Sequence, residues 1–216
     1  MDALASELTL LKVNCHWHTE INPSELRKQT GYKAVIDCRG TGAKESWLSG
    51  DKSNSLRGVR GEVIRLYAPE VKLRRPTRLI HPRYPIYIAP KENDVYVIGA
   101  TEIESDDLSE MSVRSAMELL SAVYTVHSGF AEARILEMAT QCRPTLKNNL
   151  PEIRSIRNKG LADLIMINGL YRHGFMISPA VLDCALELVE IGTSKTALDL
   201  GLSVTQNHDH IEAVCA

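Results

Sequence analysis

Hydrophobic and polar positions recur along the chain in two rhythms, and the change between them predicts how the chain is organised. Leu4, Leu8 and Leu11 lie at helical spacing within residues 2–11. Residues 12–17 read as a strand. Asn22 and Pro23 suit a helix start, Asn as N-cap and Pro in the first turn, and that helix runs to about residue 29. Residues 33–38 are a compact, largely apolar strand ending at Arg39-Gly-Thr-Gly-Ala. Helix, strand, helix, strand and a glycine turn is the grammar of an α/β chain.

The rhythm shortens after a polar loop at 49–55. Residues 62–67, 79–81, 84–89 and 95–101 are short runs rich in Val, Ile and Tyr, separated by turns carrying proline and charge. Such runs predict mixed or antiparallel sheet. Val113, Met117, Leu120, Tyr124 and His127 then keep helical spacing, and Ser112 can cap that helix. Residues 131–138 fit helix or strand, and periodicity does not decide. Residues 142–146 and Leu150-Pro151 are extended or turn segments, because proline disfavours α conformation in the residue before it. Residues 164–168 form another apolar strand, which stops at Gly169-Leu-Tyr-Arg-His-Gly. Ser178 and Pro179 open a helix to about residue 190, Ser at the N-cap and Pro at the first helical position. Residues 193–216 are mostly polar and read as a tail.

Composition narrows this picture little. The chain is 44% hydrophobic and 24% charged over 216 residues, enough to bury a core without disulfides or metals. Its 25 basic and 27 acidic residues are well mixed, which offers no attraction for nucleic acid or an anionic membrane. No apolar stretch approaches the roughly 20 residues of a spanning helix. The N-terminus lacks the basic and apolar regions of a signal peptide. The five cysteines are scattered, none in CxxC spacing, which suits reduced thiols in a cytoplasmic protein.

Candidate chemistry concentrates late in the chain. In Asn168-Gly-Leu-Tyr-Arg-His-Gly-Phe-Met-Ile-Ser-Pro-Ala a strand stops, two glycines bracket a basic aromatic turn, and a helix begins. A helix start points free N–H groups and partial positive charge at its occupant, which favours an anion or electron-rich carbonyl. An ordinary strand-to-helix turn has the same pattern. Arg143, before Pro144, offers a planar fork suited to a carboxylate. Tyr87 faces away from Ile86 and Ile88 if residues 84–89 are a strand. His16-Trp-His18 and Asn207-His-Asp-His-Ile-Glu lack partners at metal spacing, so no metal site is expected. Gly40-Thr-Gly-Ala43 is not GxGxxG, and no Walker, GxSxG or HExxH motif occurs.

Six segments occur in a telling order: Val35-Ile-Asp-Cys-Arg-Gly-Thr-Gly-Ala, Leu56-Arg-Gly-Val-Arg-Gly-Glu, His81-Pro-Arg-Tyr-Pro-Ile-Tyr-Ile-Ala-Pro, Ile98-Gly-Ala-Thr, Cys142-Arg-Pro-Thr-Leu and Gly169-Leu-Tyr-Arg-His-Gly-Phe. Over residues 1–192 they resemble the C-terminal two-thirds of the D-amino acid oxidase family, and within it the glycine oxidases of the thiamine pathway. The resemblance implies an α/β (α+β) fold of two lobes. Residues 1–55 and 140–192 would be a partial FAD-binding lobe, and 56–139 a mixed-sheet substrate-binding lobe. It also implies FAD as cofactor, with a small amino acid and oxygen as reactants, giving an imine for thiazole formation and hydrogen peroxide.

By the same resemblance, Arg143 would clamp the substrate carboxylate, Tyr87 would face the substrate, and Arg172 would reach it. Leu170, Tyr171, Arg172, His173, Gly174, Phe175 and Met176 would line the flavin ring, and Ile21 and Gly42 would touch FAD elsewhere. Glu102 departs from the neutral residue expected in some relatives. The family opens with a strand, a GxGxxG turn and a helix for the FAD diphosphate, and this sequence carries none of them. Weak FAD binding by the chain alone is therefore expected, with a missing N-terminal chain or a homo-oligomer completing it. The alternative is a non-catalytic subunit that works with a partner.

Overall fold

The computed structural model describes residues 2–47, 55–80 and 85–208. Most of the polar loop at 49–55, together with His81, Tyr84 and the end of the histidine-rich C-terminal segment, lies outside the described residues. In chain order the elements are α1 (Asp2–Leu10), α2 (Pro23–Leu26), β1 (Ala34–Asp37), a 3-10 turn (Gly40–Ala43) and α3 (Lys44–Trp47). Then come β2 (Arg57–Tyr67), β3 (Thr77–Leu79), β4 (Ile86–Pro90), β5 (Val95–Gly99) and α4 (Val113–Val126). The rest are β6 (Arg134–Thr145), β7 (Glu152–Arg157), β8 (Asp163–Asn168), α5 (Gly174–Ile191), α6 (Lys195–Leu200) and β9 (Ser203–His208).

These strands form two sheets, which makes the chain a mixed α/β fold. One is four-stranded in the order β1-β8-β7-β9, and the other five-stranded in the order β3-β4-β5-β2-β6. In the first, β1 runs parallel to β8 and β9 parallel to β7, while β7 and β8 are antiparallel. Every pairing in the second is antiparallel. The five-stranded sheet packs Ile64, Leu66, Ile86, Ile88, Tyr96 and Ile98 against Leu119, Ala122 and Val123 of α4 and against Phe130. Ile153, Ile165 and Ile167 of the four-stranded sheet meet Val181, Cys184, Ala185 and Leu188 of α5. Among the described residues no helix is long and apolar enough to cross a membrane.

Several expectations from the sequence need correction. Residues 12–17 form no strand, because no neighbouring strand supplies hydrogen-bond partners; Val13 and Trp17 are exposed. Helix α4 is capped by Ser112, whose side chain accepts from the Ser115 amide. Its buried face is Ser115, Leu119, Ala122 and Val123, whereas Val113, Met117 and Tyr124 are exposed. Two apolar stripes share that helix, and the smaller residues face the sheet. Residues 131–138 divide between the end of a 3-10 turn (Ser128–Glu132) and β6.

Strand β7 was hidden by its charges. Glu152 and Arg154 are buried, bonded to each other at 2.8 Å, and Arg154 lies over the Trp47 ring at 4.1 Å. Helix α5 begins at Gly174, not at Ser178, and Pro179 sits inside it. Pro179 deprives only the Phe175 carbonyl of a helical partner, and Phe175 is exposed, so water can serve it. The expected tail is structured as far as residue 208. Ser194 caps α6, and β9 joins the sheet beside β7. Val204 packs on the core beneath α5.

Candidate functional site

The face of the five-stranded sheet away from α4 is built differently. Strand alternation places Gly61, Val63 and Arg65 of β2 opposite Glu62, Ile64 and Leu66, which are buried toward α4. Cross-strand register then aligns Arg78, Tyr87, Gly99 and Val63 in one row. Arg143 of β6 stands opposite Val59, one diagonal step from Gly61.

Two glycines make room for the side chains above them. A Cβ at Gly61 would lie 2.3 Å from Arg143 Nη1, so the guanidinium rests directly on the backbone. A Cβ at Gly99 would lie 2.8 Å from the Tyr87 hydroxyl and equally close to Val63. Gly61 and Gly99 are therefore the floor on which Arg143 and Tyr87 lie. The sequence reading missed this role, although both glycines stand in the segments Leu56-Arg-Gly-Val-Arg-Gly-Glu and Ile98-Gly-Ala-Thr. A strand glycine marks close approach of another group, and that was the available signal.

Arg143 donates from Nη1 to the Thr101 carbonyl at 3.2 Å. Among the described residues no carboxylate pairs with it. Thr101 is itself fixed from below: its hydroxyl donates to Glu62 Oε2 at 3.0 Å and accepts from the Glu62 amide at 2.9 Å. Glu62 is fully buried and paired with Arg60 at 2.7 Å. Burial alone would raise the Glu62 carboxyl, but bonds from Ser115, Arg60, Thr101 and Ser112 outweigh it and hold the group below the usual carboxylate range. Glu62 thus ties the Thr101 support of Arg143 to the cap of α4.

A cavity of about 650 Å³ reaches from this face to the first turns of α4. Tyr87, Thr101, Glu102, Arg143, Arg172 and His173 line it, with Arg78, Arg114 and Glu118. Of the expected substrate residues, Tyr87, Arg143 and Arg172 therefore share one cavity. Of the expected flavin residues, Arg172 and His173 line it, while Leu170, Tyr171, Gly174, Phe175, Met176, Ile21 and Gly42 do not. Leu170 packs on the core under α5, Ile21 is exposed, and Gly42 lies in the 3-10 turn after β1. Asn168 links that turn to the end of β8 by donating to the Gly40 carbonyl at 2.8 Å.

Arg172 is already engaged. Its Nη1 lies 2.8 Å from Glu102 Oε2, and the Tyr171 hydroxyl donates to Glu102 Oε1. Burial, followed by the bond to Glu102, pushes the Tyr171 phenol up from its ordinary range. Beyond this turn α5 starts with no side-chain cap and no acidic residue in its first turn. Phe175 and Met176 project there, 88% and 73% exposed. Uncapped amides beside exposed apolar side chains fit the electron-rich edge and flat ring of a flavin.

Comparison with known proteins adds a family to this geometry. The family described as DAO, FAD dependent oxidoreductase, matches residues 1–187. A Rhizobium etli protein named for a thiamine biosynthesis oxidoreductase, ThiO, is 46% identical over 147 residues, 68% of this chain and 42% of that protein. A D-amino acid oxidase of Dugesia ryukyuensis is 27% identical over 71% of this chain and 43% of its own length. The chain thus spans less than half the length of these relatives. Among solved structures, glycine oxidase from Geobacillus kaustophilus superposes with a TM-score of 0.63 at 25% identity, over 82% of this chain and 46% of that one. Glycine oxidase from Bacillus cereus gives 0.63 at 24% identity, over 77% and 45%.

Proposed function

This chain belongs to the DAO family of FAD dependent oxidoreductases, and from that premise we propose that it supplies the substrate site of an oxidase for small amino acids. Glycine or a similar amine, used for thiazole formation in thiamine biosynthesis, is the preferred reading, supported by the likeness to ThiO and to glycine oxidases. One observation carries it. A guanidinium with no carboxylate partner among the described residues and a phenol, Arg143 and Tyr87, converge over two floor glycines in one open cavity.

Arg143 holds the substrate carboxylate through its planar fork, and the Thr101 carbonyl fixes the fork's orientation. Tyr87 lies beside it and limits the volume left for a side chain. The turn from Leu170 to Met176 and the amides at the start of α5 hold the flavin ring, with Ile21 and Gly42 toward the rest of FAD. FAD held there would supply a two-electron oxidant for the substrate amine, with oxygen as the final acceptor of the two electrons and two hydrogens, giving hydrogen peroxide. Partial positive charge at the start of α5 favours electron density at the adjacent ring edge. Residues 1–55 and 140–192 are read as the FAD side of the site, and 56–139 as the substrate side.

The test is to titrate FAD into the protein, follow flavin fluorescence, and then add glycine without oxygen. Weak binding that needs FAD in large excess, followed by bleaching of the flavin band, is expected, and Arg143→Ala should demand far more glycine for the same bleaching. Carboxylate binding without any flavin binding or bleaching would overturn the oxidase reading in favour of a non-catalytic subunit.

A further inference from the structure

Glu102 stands where the two sheets meet. It follows β5 closely, and both of its carboxylate oxygens are taken by the turn after β8: one by the Tyr171 hydroxyl, the other by Arg172. Tyr171 has φ +49°, a left-handed conformation uncommon for a bulky side chain. The Arg172 guanidinium lies 5.1 Å from the centroid of the Tyr171 ring. Glu102 therefore holds a strained turn by two side chains at once.

The contrast with Arg143 is chemical. Both arginines line the same cavity, yet among the described residues Arg143 donates to a backbone carbonyl and Arg172 to a carboxylate. A guanidinium whose charge is already offset and whose orientation is set by an internal carboxylate takes a ligand's carboxylate less readily than one without such a partner. A carboxylate on Arg172 also repels a second anionic group brought in by a ligand seated on Arg143.

We infer that Glu102 sets the substrate class of the cavity: by holding Arg172 it selects amines with a single carboxylate and turns away amino dicarboxylates. The inference rests on the reading of Arg143 as the carboxylate clamp. Glu102 is a specificity-determining residue in this scheme, and Arg172 is the group it withholds. Removing the Glu102 charge would free Arg172 to take the second carboxylate of a larger ligand.

The experiment measures binding of acetate and malonate to the protein by titration calorimetry, without any need for turnover. Glu102→Gln should raise the malonate-to-acetate affinity ratio on the order of tenfold, the effect of one new charge-assisted pair. Adding Arg172→Gln should return the ratio to that of the unsubstituted protein, and Glu102→Asp should keep it low. A general gain in anion binding from lost negative charge would raise both affinities and survive Arg172→Gln, and that result overturns the inference. So does an unchanged ratio in a Glu102→Gln protein whose denaturation midpoint is unaltered. Arg143→Gln separates the two claims. Acetate binding that survives it refutes the Arg143 reading, while the Arg172 dependence of malonate binding is still measured directly.

Discussion

The two faces of the five-stranded sheet are made from the same strands and follow opposite rules. Toward α4, Ile64, Ile88 and Ile98 are wholly buried and Leu66 and Ile86 nearly so. On the other face the same strands present Tyr87, Gly99, Gly61 and Arg143, with Tyr87 still 43% exposed. One face satisfies itself with apolar contact. The other keeps bare backbone and a guanidinium that, among the described residues, has no carboxylate partner, which leaves it open to a ligand. Alternation along a strand lets one sheet do both, because neighbouring residues never compete for the same side. Substitutions on the two faces should therefore separate stability from binding.

Leu119→Ala, on the closed side, should have the largest effect on stability. Leu119 is 2% exposed within the core under α4, so the loss should be about 2–5 kcal/mol, read as a lower denaturant midpoint. Leu119 also lines the α4 end of the cavity, so carboxylate affinity is compared in Leu66→Ala, at a core residue 1% exposed that does not line it; there affinity per folded molecule should hold. A comparable loss of affinity would show that the two faces are not independent. Arg143→Ala, on the open side, should do the reverse. It should weaken acetate binding by about 1.5–3 kcal/mol, the range of a hydrogen bond to a charged group, with little change in midpoint.

Gly61→Ala sharpens the comparison without removing a charged group. The added methyl would meet the Arg143 guanidinium, the far end of a flexible side chain, so that end moves and the backbone stays. Affinity for acetate should fall several-fold, less than for Arg143→Ala, and stability should change little. An unchanged affinity would mean that Arg143 binds from a position other than the one seen over Gly61.

What the sequence revealed divides along the same line. Strands made mostly of apolar side chains, such as β1, β5 and β8, were legible because little that is polar in them competes with burial. Arg143 and Tyr87 were legible through the segments that carry them. Strand β7 was not, because Glu152 and Arg154 satisfy each other inside and look like surface charges in a one-dimensional reading. The role of Glu102 was only half visible. Its oddness could be read from the sequence, but its partners Tyr171 and Arg172 lie 69 and 70 residues away. Gly61 and Gly99 were seen as motif letters, since nothing local says what will lie on a glycine. The start of α5 was misplaced because Ser178-Pro179 is a good helix opening by local rules, and the packed turn at Gly169–Gly174 overrode it.

Acid should act on the link between the faces. Glu62 lies below the usual carboxylate range when folded, because its hydrogen bonds outweigh its burial. A carboxyl lowered by folding contributes stability above its unfolded pKa, about 4.3, and that stability is lost as pH falls through the folded value. The denaturant midpoint should therefore drop on acidification below that range. Because Glu62 holds Thr101, affinity for the carboxylate should fall with it, beyond the loss that protonation of the ligand itself causes. Glu62→Gln should flatten its share of the pH dependence, and a full acid response in that variant would place the titrating groups elsewhere.

The smallest expected effect falls on the outer stripe of α4. Val113, Met117 and Tyr124 share helical spacing with Leu120, and by spacing alone they look like a buried face. They are 77%, 63% and 55% exposed, while Leu119, Ala122 and Val123, one or two positions along, are buried against the sheet. The helix carries two apolar stripes, and the sheet takes the one whose side chains fit between Ile64, Ile88 and Ile98. Removing a side chain that is already in water uncovers no core and leaves no cavity. Met117→Ser should therefore change stability by no more than about 0.5 kcal/mol, as for other surface substitutions, in contrast to Leu119→Ala two residues later. A loss of 2 kcal/mol or more, read from the denaturant midpoint at several protein concentrations, would show that the outer stripe is covered after all. Dependence of that loss on concentration would identify the cover as a second copy of the chain.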